Sequence, residues 1–219
     1  MLNHLKRTFR NIRSHKGYSF INITGLAIGM ACFFLIGLWV RHELSFDRFH
    51  QNKDRIFRIL NHFPDGSYVP SPTYALAPAL KEIYPEVEEF ARVWPWVSSL
   101  IKHEEKKFDD DTIIFTDPGF FRMFTFPVVQ GERETVLNQP NSVVLTVNTA
   151  LRYFGKANPI GKVLHLEQYD KDLTVTGVIE NIPSNSHIQF DIAARVELLG
   201  EDRLARWDEW MGPCYIMLQ

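Results

Sequence analysis

The chain has 219 residues, of which 45% are hydrophobic and 13% aromatic, so it is long and apolar enough to bury a folded core. The formal net charge is -2, but the basic residues are unevenly placed. Lys6, Arg7, Arg10, Arg13 and Lys16 precede the first apolar stretch with no acidic residue among them. The remainder is therefore more acidic than the net charge indicates, which argues against a nucleic-acid partner. The two cysteines, Cys32 and Cys214, are too few for a disulfide framework or a zinc site.

The first 18 residues combine an apolar helical face with these basic side chains. Leu2, Leu5, Phe9 and Ile12 are spaced so that they share one face of a helix. Basic amphipathic helices of this kind lie in the membrane interface and are attracted to anionic lipids. We therefore expect residues 1–18 to form an interfacial helix on the cytoplasmic leaflet.

A charge-free run from Phe20 to Val40 follows, and it predicts a transmembrane helix over residues 19–40. At 1.5 Å per residue the run spans roughly 30 Å, the thickness of the bilayer's hydrocarbon core. A buried helix of a soluble protein rarely runs this long without a polar face, and a cleaved signal peptide has a shorter apolar region. The basic residues before Phe20 place the N-terminus in the cytoplasm, and residues after about Val40 outside it.

Within this run, Gly25 and Gly29 form a GxxxG spacing. Two glycines one helical turn apart let a second helix approach closely, so we expect them to be helix-packing positions. Glycine is common in transmembrane helices, and a chance occurrence remains an equal alternative.

Residues 41–52 continue the helical pattern through Leu44, Phe46 and Phe49. We expect a helical stalk segment, residues 41–52, that extends the membrane helix outward. His42, Glu43, Asp47 and His50 within it are of metal-binding type, but eight residues of helix separate the two histidines by roughly 12 Å. That distance is too large for one ion, and a solvated helix face is the better interpretation.

Residues 53–219 should form one mixed α+β domain outside the cytoplasm. Strands and helices alternate without a regular βαβ period, and no low-complexity linker divides the segment. The predicted strands begin near Arg55 and at residues 93–96, 97–102, 112–115, 162–166 and 173–179. Three helices are predicted. The first starts at Ser71-Pro72 and runs to Tyr84 with a kink at Pro78, and the second spans residues 117–123. The third is capped by Asn148 and runs to Phe154, before Gly155.

No motif indicates an active site or a cofactor. The segment GKANPIGKV at residues 155–163 has one residue too many and no hydroxyl for a phosphate-binding loop, so it is read as a turn. Ser184, Ser186, His187 and Asp191 are residue types of a hydrolase triad, but no nucleophile elbow is present. We expect no enzyme, no bound cofactor and no metal.

Ordered motifs resemble the MacB-like (FtsX-like) permeases of ABC transporters, especially those of Bacteroidetes-type bacteria. The motifs are FRNIRSHKGYSFINITGLAIGMA at 9–31, ELSFDRFHQNKDRIFR at 43–58, LKEIYPEV at 80–87, DPGFFRMFTFPVVQG at 117–131, SVVLT at 142–146, YFGKANPIGK at 153–162 and TVTGVIENIPSNSHIQFD at 174–191. Together they span nearly the whole chain.

The resemblance implies a permease with one helix entering from the cytoplasm, a periplasmic core domain, and three further membrane helices that this sequence lacks. It also implies that the domain of residues 53–219 is incomplete at its C-terminus. It implies residence in the inner membrane, a homodimer or heterodimer, and a cytoplasmic ABC ATPase partner that supplies the energy. Motion would then pass through the stalk segment, with Glu43, Leu44, Phe46, Asp47 and Phe49 as the proposed coupling residues. The substrate is not written in the sequence.

A second class remains open, a membrane-tethered sensor or binding module, because many receptors also begin with one span and an outer α+β domain. Three more spans after Gln219, or a signalling domain, would decide between the two.

Overall fold

A computed structural model of the protein describes residues 16–97, 100–109, 111–210 and 212–219, and the side chains of 95–97 are not described. Most of the expected interfacial helix, residues 1–15, lies outside the described residues. The chain divides into two compact units, Met1–Phe46 and Asp47–Gln219.

The described part of the first unit is one helix, α1, over Lys16–Glu43. It has no buried residue, and its length and composition suffice to cross a membrane. Twenty-eight residues of helix extend about 42 Å, more than the thickness of a bilayer's hydrocarbon core.

The expected helical stalk segment is wrong beyond Glu43. Residues 44–49 form turns, and Asp47 has a φ of 55°, in the left-handed region that an α-helix cannot contain. Both the amide and the hydroxyl of Ser45 donate to the carbonyl of His42, at 3.0 and 2.6 Å, and so replace the α-helical pattern at the helix end. Leu44, Phe46 and Phe49 therefore do not share one face of a helix, although their spacing in the sequence is helical.

The second unit is built on a mixed sheet, as the sequence predicts. Within the described residues, eleven strands join this sheet in the order β1-β13-β4-β7-β12-β9-β11-β10-β5-β6, with β8 also on β11. Parallel pairing occurs between β7 and β12 and between β9 and β11. The strands are β1 Ile56–Arg58, β4 Val87–Val97, β5 Ile101–His103, β6 Lys106–Phe108, β7 Ile113–Thr116, β8 Val128–Gln130, β9 Ser142–Thr146, β10 Val163–Leu166, β11 Lys171–Ile179, β12 Ile192–Arg195 and β13 Cys214–Leu218; β2 Asn61–His62 and β3 Tyr68–Val69 form a separate hairpin.

Both faces of the sheet are buried, because alternating side chains of its central strands enter two hydrophobic clusters. Ile113 and Phe115 of β7 belong to one cluster and Ile114 to the other. Strands covered on both sides lose the apolar/polar alternation, which explains the continuous apolar runs in β7 and β9.

Four α-helices cover this sheet or connect its strands in the described part of the second unit: α2 Leu76–Ile83, α3 Phe120–Met123, α4 Val147–Phe154 and α5 Glu201–Leu204. Two predicted boundaries are wrong. The α2 helix starts at Leu76 instead of Ser71-Pro72, and Pro78 falls in its first turn, where the missing N–H leaves no intrahelical bond unmade. Thr146, not Asn148, caps α4, accepting a hydrogen bond from the Thr149 amide at 3.4 Å.

The expected strands at 93–96 and 97–102 are also corrected. One strand of eleven residues, β4, begins at Val87, before the first expected strand, and ends at Val97, where the second was expected to begin; its pairing has a register shift between Trp94 and Val97. A turn at Glu104, which has a φ of 53°, joins β5 to β6, and β6 is absent from the expected strands.

Candidate functional site

Four side chains meet at the beginning of the second unit, and we call Asp47, His50, His187 and Tyr215 the anchor cluster. Asp47 is the first residue of that unit, His187 lies in the loop between β11 and β12, and Tyr215 lies in β13. The fold thus joins residues that are up to 168 positions apart in the sequence into one small site.

Asp47 is held to the His187 loop by three hydrogen bonds. The Asp47 amide donates to the Asn185 carbonyl at 2.9 Å, and the Asp47 carboxylate accepts from the His187 amide at 3.1 Å. The other carboxylate oxygen lies 2.5 Å from His187 Nδ1. Aspartate tolerates the left-handed backbone better than most residues, so its conformation and its partners are compatible.

The ring of His187 connects Asp47 to Tyr215. Its Nε2 lies 2.8 Å from the Tyr215 hydroxyl. Burial raises the pKa of Tyr215 to about 12, with a smaller lowering by Arg58, so the hydroxyl keeps its proton at neutral pH. The tyrosine hydroxyl therefore donates to Nε2, which leaves Nδ1 as the ring nitrogen that donates to Asp47.

His50 lies beside this chain of hydrogen bonds and is 3% exposed. Its Nδ1 accepts from the Thr125 amide at 2.9 Å, whereas its Nε2 has no hydrogen-bond partner and lies 3.9 Å from the Asp47 carboxylate. Burial lowers the pKa of His50 to about 4, although Asp47 raises it; His187 and Arg133 lower it further. His50 is therefore neutral at pH 7.

Two cavities border the anchor cluster. The smaller, of about 260 Å³, is lined by Asp47, His50 and Lys53 among others. The larger, of about 510 Å³, opens between β1, β3 and the His187 loop. Arg58, His187 and Tyr215 line both cavities, so they form the wall between them.

The arrangement does not assemble a hydrolase triad. The Ser186 hydroxyl donates to the Ile188 carbonyl at 3.0 Å, and Asp191 accepts from the Thr112 amide at 2.9 Å. His187 is instead paired with Asp47. No group of three or more His, Cys, Asp or Glu suited to a metal ion occurs among the residues that the structure describes. The anchor cluster therefore attaches the segment that begins at Asp47 to the His187 loop and to β13 by hydrogen bonds.

The proposed coupling residues are distributed over both units. Glu43 is the last residue of α1, and Leu44 is 59% exposed. Asp47 enters the anchor cluster, and Phe49 packs edge-on against Phe126 at 6.1 Å. Gly25 and Gly29 lie on α1, where an added Cβ would meet no described atom within 4 Å. Their role in helix packing stays a prediction.

Sequence reasoning missed His50, His187 and Tyr215 as partners of Asp47. The signal was present only as two polar motifs, SFDRFH and PSNSH, each interrupting an apolar pattern. Nothing in a single sequence indicates that these motifs meet.

A buried ion pair fixes β4 beside the short helix α3. Arg92 donates to both carboxylate oxygens of Asp117, at 2.9 and 2.7 Å, and its amide donates at 2.7 Å. Burial lowers the pKa of Arg92, but the hydrogen bonds and charge of Asp117 outweigh it, so the pKa lies above its usual value. Burial raises the pKa of Asp117, whereas the hydrogen bonds and charge of Arg92 oppose that rise, and the two-point contact is that of a charged pair. Gly119 allows the close approach, since a Cβ there would lie 2.4 Å from the Phe90 carbonyl.

The class of protein is a mixed α+β sheet domain that follows one apolar helix long enough to cross a membrane. The pattern of the MacB-like periplasmic core domain matches residues 19–211, and the chain belongs to this family. Among curated proteins, none matches the sequence closely enough to count as a relative.

Solved structures agree with this assignment. A domain of a protein from Porphyromonas gingivalis, provisionally described as a permease, superposes with a TM-score of 0.66 at 25% identity, covering 78% of this chain and 77% of that one. The periplasmic region of MacB from Actinobacillus actinomycetemcomitans gives 0.53 at 16% identity, covering 75% and 73%. The extracellular domain of the noncanonic ABC-type transporter YknZ from Gram-positive bacteria gives 0.50 at 15% identity, covering 75% and 82%. The last two share the fold.

Proposed function

We propose that this chain is the anchoring and outer part of an ABC-transporter permease, in which ATP hydrolysis by a cytoplasmic partner moves the outer domain and drives export of a substrate. The carrying observation is that the family match begins at residue 19 and therefore includes all of α1 except its first three residues. A candidate membrane span and the periplasmic core domain thus belong to one family segment.

We propose the inner membrane as the location, with the N-terminus in the cytoplasm. The support is the basic cluster that precedes Phe20, which the positive-inside rule assigns to the cytoplasm. A reporter fused after Gln219 should be active only outside the cytoplasm. Activity of a cytoplasmic reporter at the same site would contradict the orientation.

The proposed partners are a cytoplasmic ABC ATPase and a second permease subunit, identical or different, within the lipid bilayer. Gly25 and Gly29 support a helix contact, because their exposed positions on α1 would permit close approach of another helix. We propose no nucleic-acid partner.

We propose the anchor cluster, in place of a continuous helix, as the coupling element. Residues 44–46 are turns, so a rigid rod does not extend through them. Asp47 follows directly and is fixed by His187 and the Asn185 carbonyl. We propose that this attachment transmits force from the segment after α1 into the sheet domain, through the Tyr215 hydroxyl on β13.

The test compares Asp47→Gly with Asp47→Asn in the complete permease, reconstituted with its ATPase. Glycine accepts the left-handed backbone but removes the carboxylate, whereas asparagine also accepts it and keeps one acceptor oxygen for His187. A spin label at Leu151→Cys, an exposed position on α4, reports movement of the outer domain. Cys32 and Cys214 are replaced by serine or alanine beforehand.

In the parent and in Asp47→Asn, we expect ATP to change the distance between the spin labels of the two subunits. In Asp47→Gly, we expect this change to be lost while ATP hydrolysis is retained. Undiminished movement in Asp47→Gly would show that the cluster is only structural. A parent protein that associates with no ATPase, or shows no ATP-dependent change, would overturn the transport proposal and favour the sensor or binding module.

A further inference from the structure

The larger cavity beside the anchor cluster has the size and lining of a ligand site. Its volume of about 510 Å³ falls within the range of small-molecule pockets. Aliphatic side chains from four parts of the fold form much of its wall: Val69 of β3, Val93 of β4, Ile114 of β7 and Ile188 of the His187 loop. A ligand that fills it must present apolar surface.

The charge of the lining is one-sided. Arg58 is the one lysine, arginine, aspartate or glutamate among the described residues that line this cavity. The Arg58 side chain is exposed at the end of the edge strand β1 and makes no ion pair with the described residues. The described lining of this cavity contains no carboxylate that could neutralise Arg58. The arginine at its rim is therefore complementary to a ligand with one negative charge.

Neighbouring hydrogen-bonding groups restrict the ligand further. The Tyr215 hydroxyl is engaged by His187, and the side-chain amide nitrogen of Gln189 already donates to the Pro183 and Ser186 carbonyls, at 2.8 and 2.9 Å. Asp47 lines only the smaller cavity, so an anion held at Arg58 is directed into the larger one. Recognition therefore rests on the guanidinium for the charged end and on the aliphatic wall for the rest.

From these observations we propose that the larger cavity binds an amphiphile with one anionic headgroup, a carboxylate or a phosphate, placing the headgroup at Arg58 and the hydrocarbon against Ile114 and Ile188. This site is separate from the Asp47 attachment, although it shares the His187 and Tyr215 wall. If the outer domain handles an exported substrate as proposed above, the cavity indicates its chemical class. Binding itself needs neither ATP nor a partner.

The experiment uses the full chain in lipid nanodiscs, with methyl-labelled isoleucine observed by NMR. Octanoate, octyl phosphate and neutral octanol are titrated separately. Ile114 and Ile188 report on the cavity, Ile101 reports on the opposite hydrophobic cluster, and Ile36 on the exposed face of α1 reports partition of the probes into lipid. The matched variants are Arg58→Gln and Arg48→Gln, since Arg48 is also exposed and lines neither cavity.

We expect saturable shifts of Ile114 and Ile188 with octanoate or octyl phosphate, and the stronger of the two identifies the headgroup. Arg58→Gln should weaken this binding at least tenfold, while Arg48→Gln leaves it unchanged and both variants keep the remaining methyl spectrum of the parent. Equal binding of octanol, or equal binding to the Arg58→Gln protein, would overturn recognition of an anion. Shifts confined to Ile36 would show partition into lipid only and would overturn the site, whereas the transport proposal would stand on its own test.

Discussion

The two units of this protein obtain their structure in opposite ways. The described part of α1 has no buried residue, and Phe33 on it is 71% exposed. In the second unit, Phe120 is fully buried among four other phenylalanine rings at 5.0 to 5.8 Å. The helix satisfies its backbone locally and needs an apolar solvent, whereas the sheet domain depends on contacts between distant parts of the chain.

The largest expected effect separates these two units directly. Phe120→Ala should lower the free energy of unfolding of the second unit by about 3–5 kcal/mol, because it leaves a cavity among packed rings. Phe33→Ala, the same change on α1, should leave that unfolding transition in place. Denaturant unfolding of the chain in nanodiscs, followed by tryptophan fluorescence, measures both variants. Equal destabilisation would mean that the fold of the second unit depends on α1.

The next effect concerns pH and only the second unit. Because the pKa of His50 is lowered to about 4 in the folded state, its neutral form contributes stability above the unfolded value near 6.5. That contribution should be lost as pH falls from about 6.5 to 4, amounting to at most about 3 kcal/mol. His50→Asn keeps an acceptor for the Thr125 amide and should flatten this part of the stability curve.

The exposed histidine at the end of α1 provides the control. His42→Asn should leave the pH dependence of unfolding as it is in the parent. An unchanged curve in His50→Asn would show that groups other than His50 control stability in this pH range.

The smallest effect uses the same substitution in both units. Gly155 has a φ of 61° and ends α4, and an added Cβ would meet no described atom within 4 Å. Gly155→Ala should therefore cost about 1–2 kcal/mol from backbone strain alone. Gly37→Ala on α1 should not reduce the stability of the second unit, since a helical glycine gains from the change. A Tm series of the two variants tests this, and a neutral Gly155→Ala would show that the turn relaxes.

The sequence alone predicts the elements whose signals are local. The charge-free run identifies α1, and Gly155 identifies the end of α4. Errors occurred where tertiary contacts decide. The β4 strand runs to eleven residues because β7 and β13 pair along it, and Thr73, expected inside a helix, bridges to Trp210 instead.

The candidate site could be predicted only in part. Asp47 was expected in a coupling role, but its helical conformation was wrong because Asn185 and His187 hold it in a left-handed turn. The pairing of the SFDRFH and PSNSH motifs depends on sheet topology, which one sequence does not specify. His50, set aside as a solvated residue, is buried against Phe124 and Phe126 at 5.1 and 5.2 Å.

The pairing of β1 with β13 has a consequence for biosynthesis. Ile56 to Arg58 pair with Tyr215 to Met217, and β4 pairs with the same strand on its other side. A chain made from its N-terminus therefore offers β1 no partner until some 160 further residues have been synthesised. Contacts so distant in sequence form slowly, so the nascent domain stays incomplete for much of translation. A chaperone that covers the exposed edge of β4 during this interval would raise the yield of folded protein.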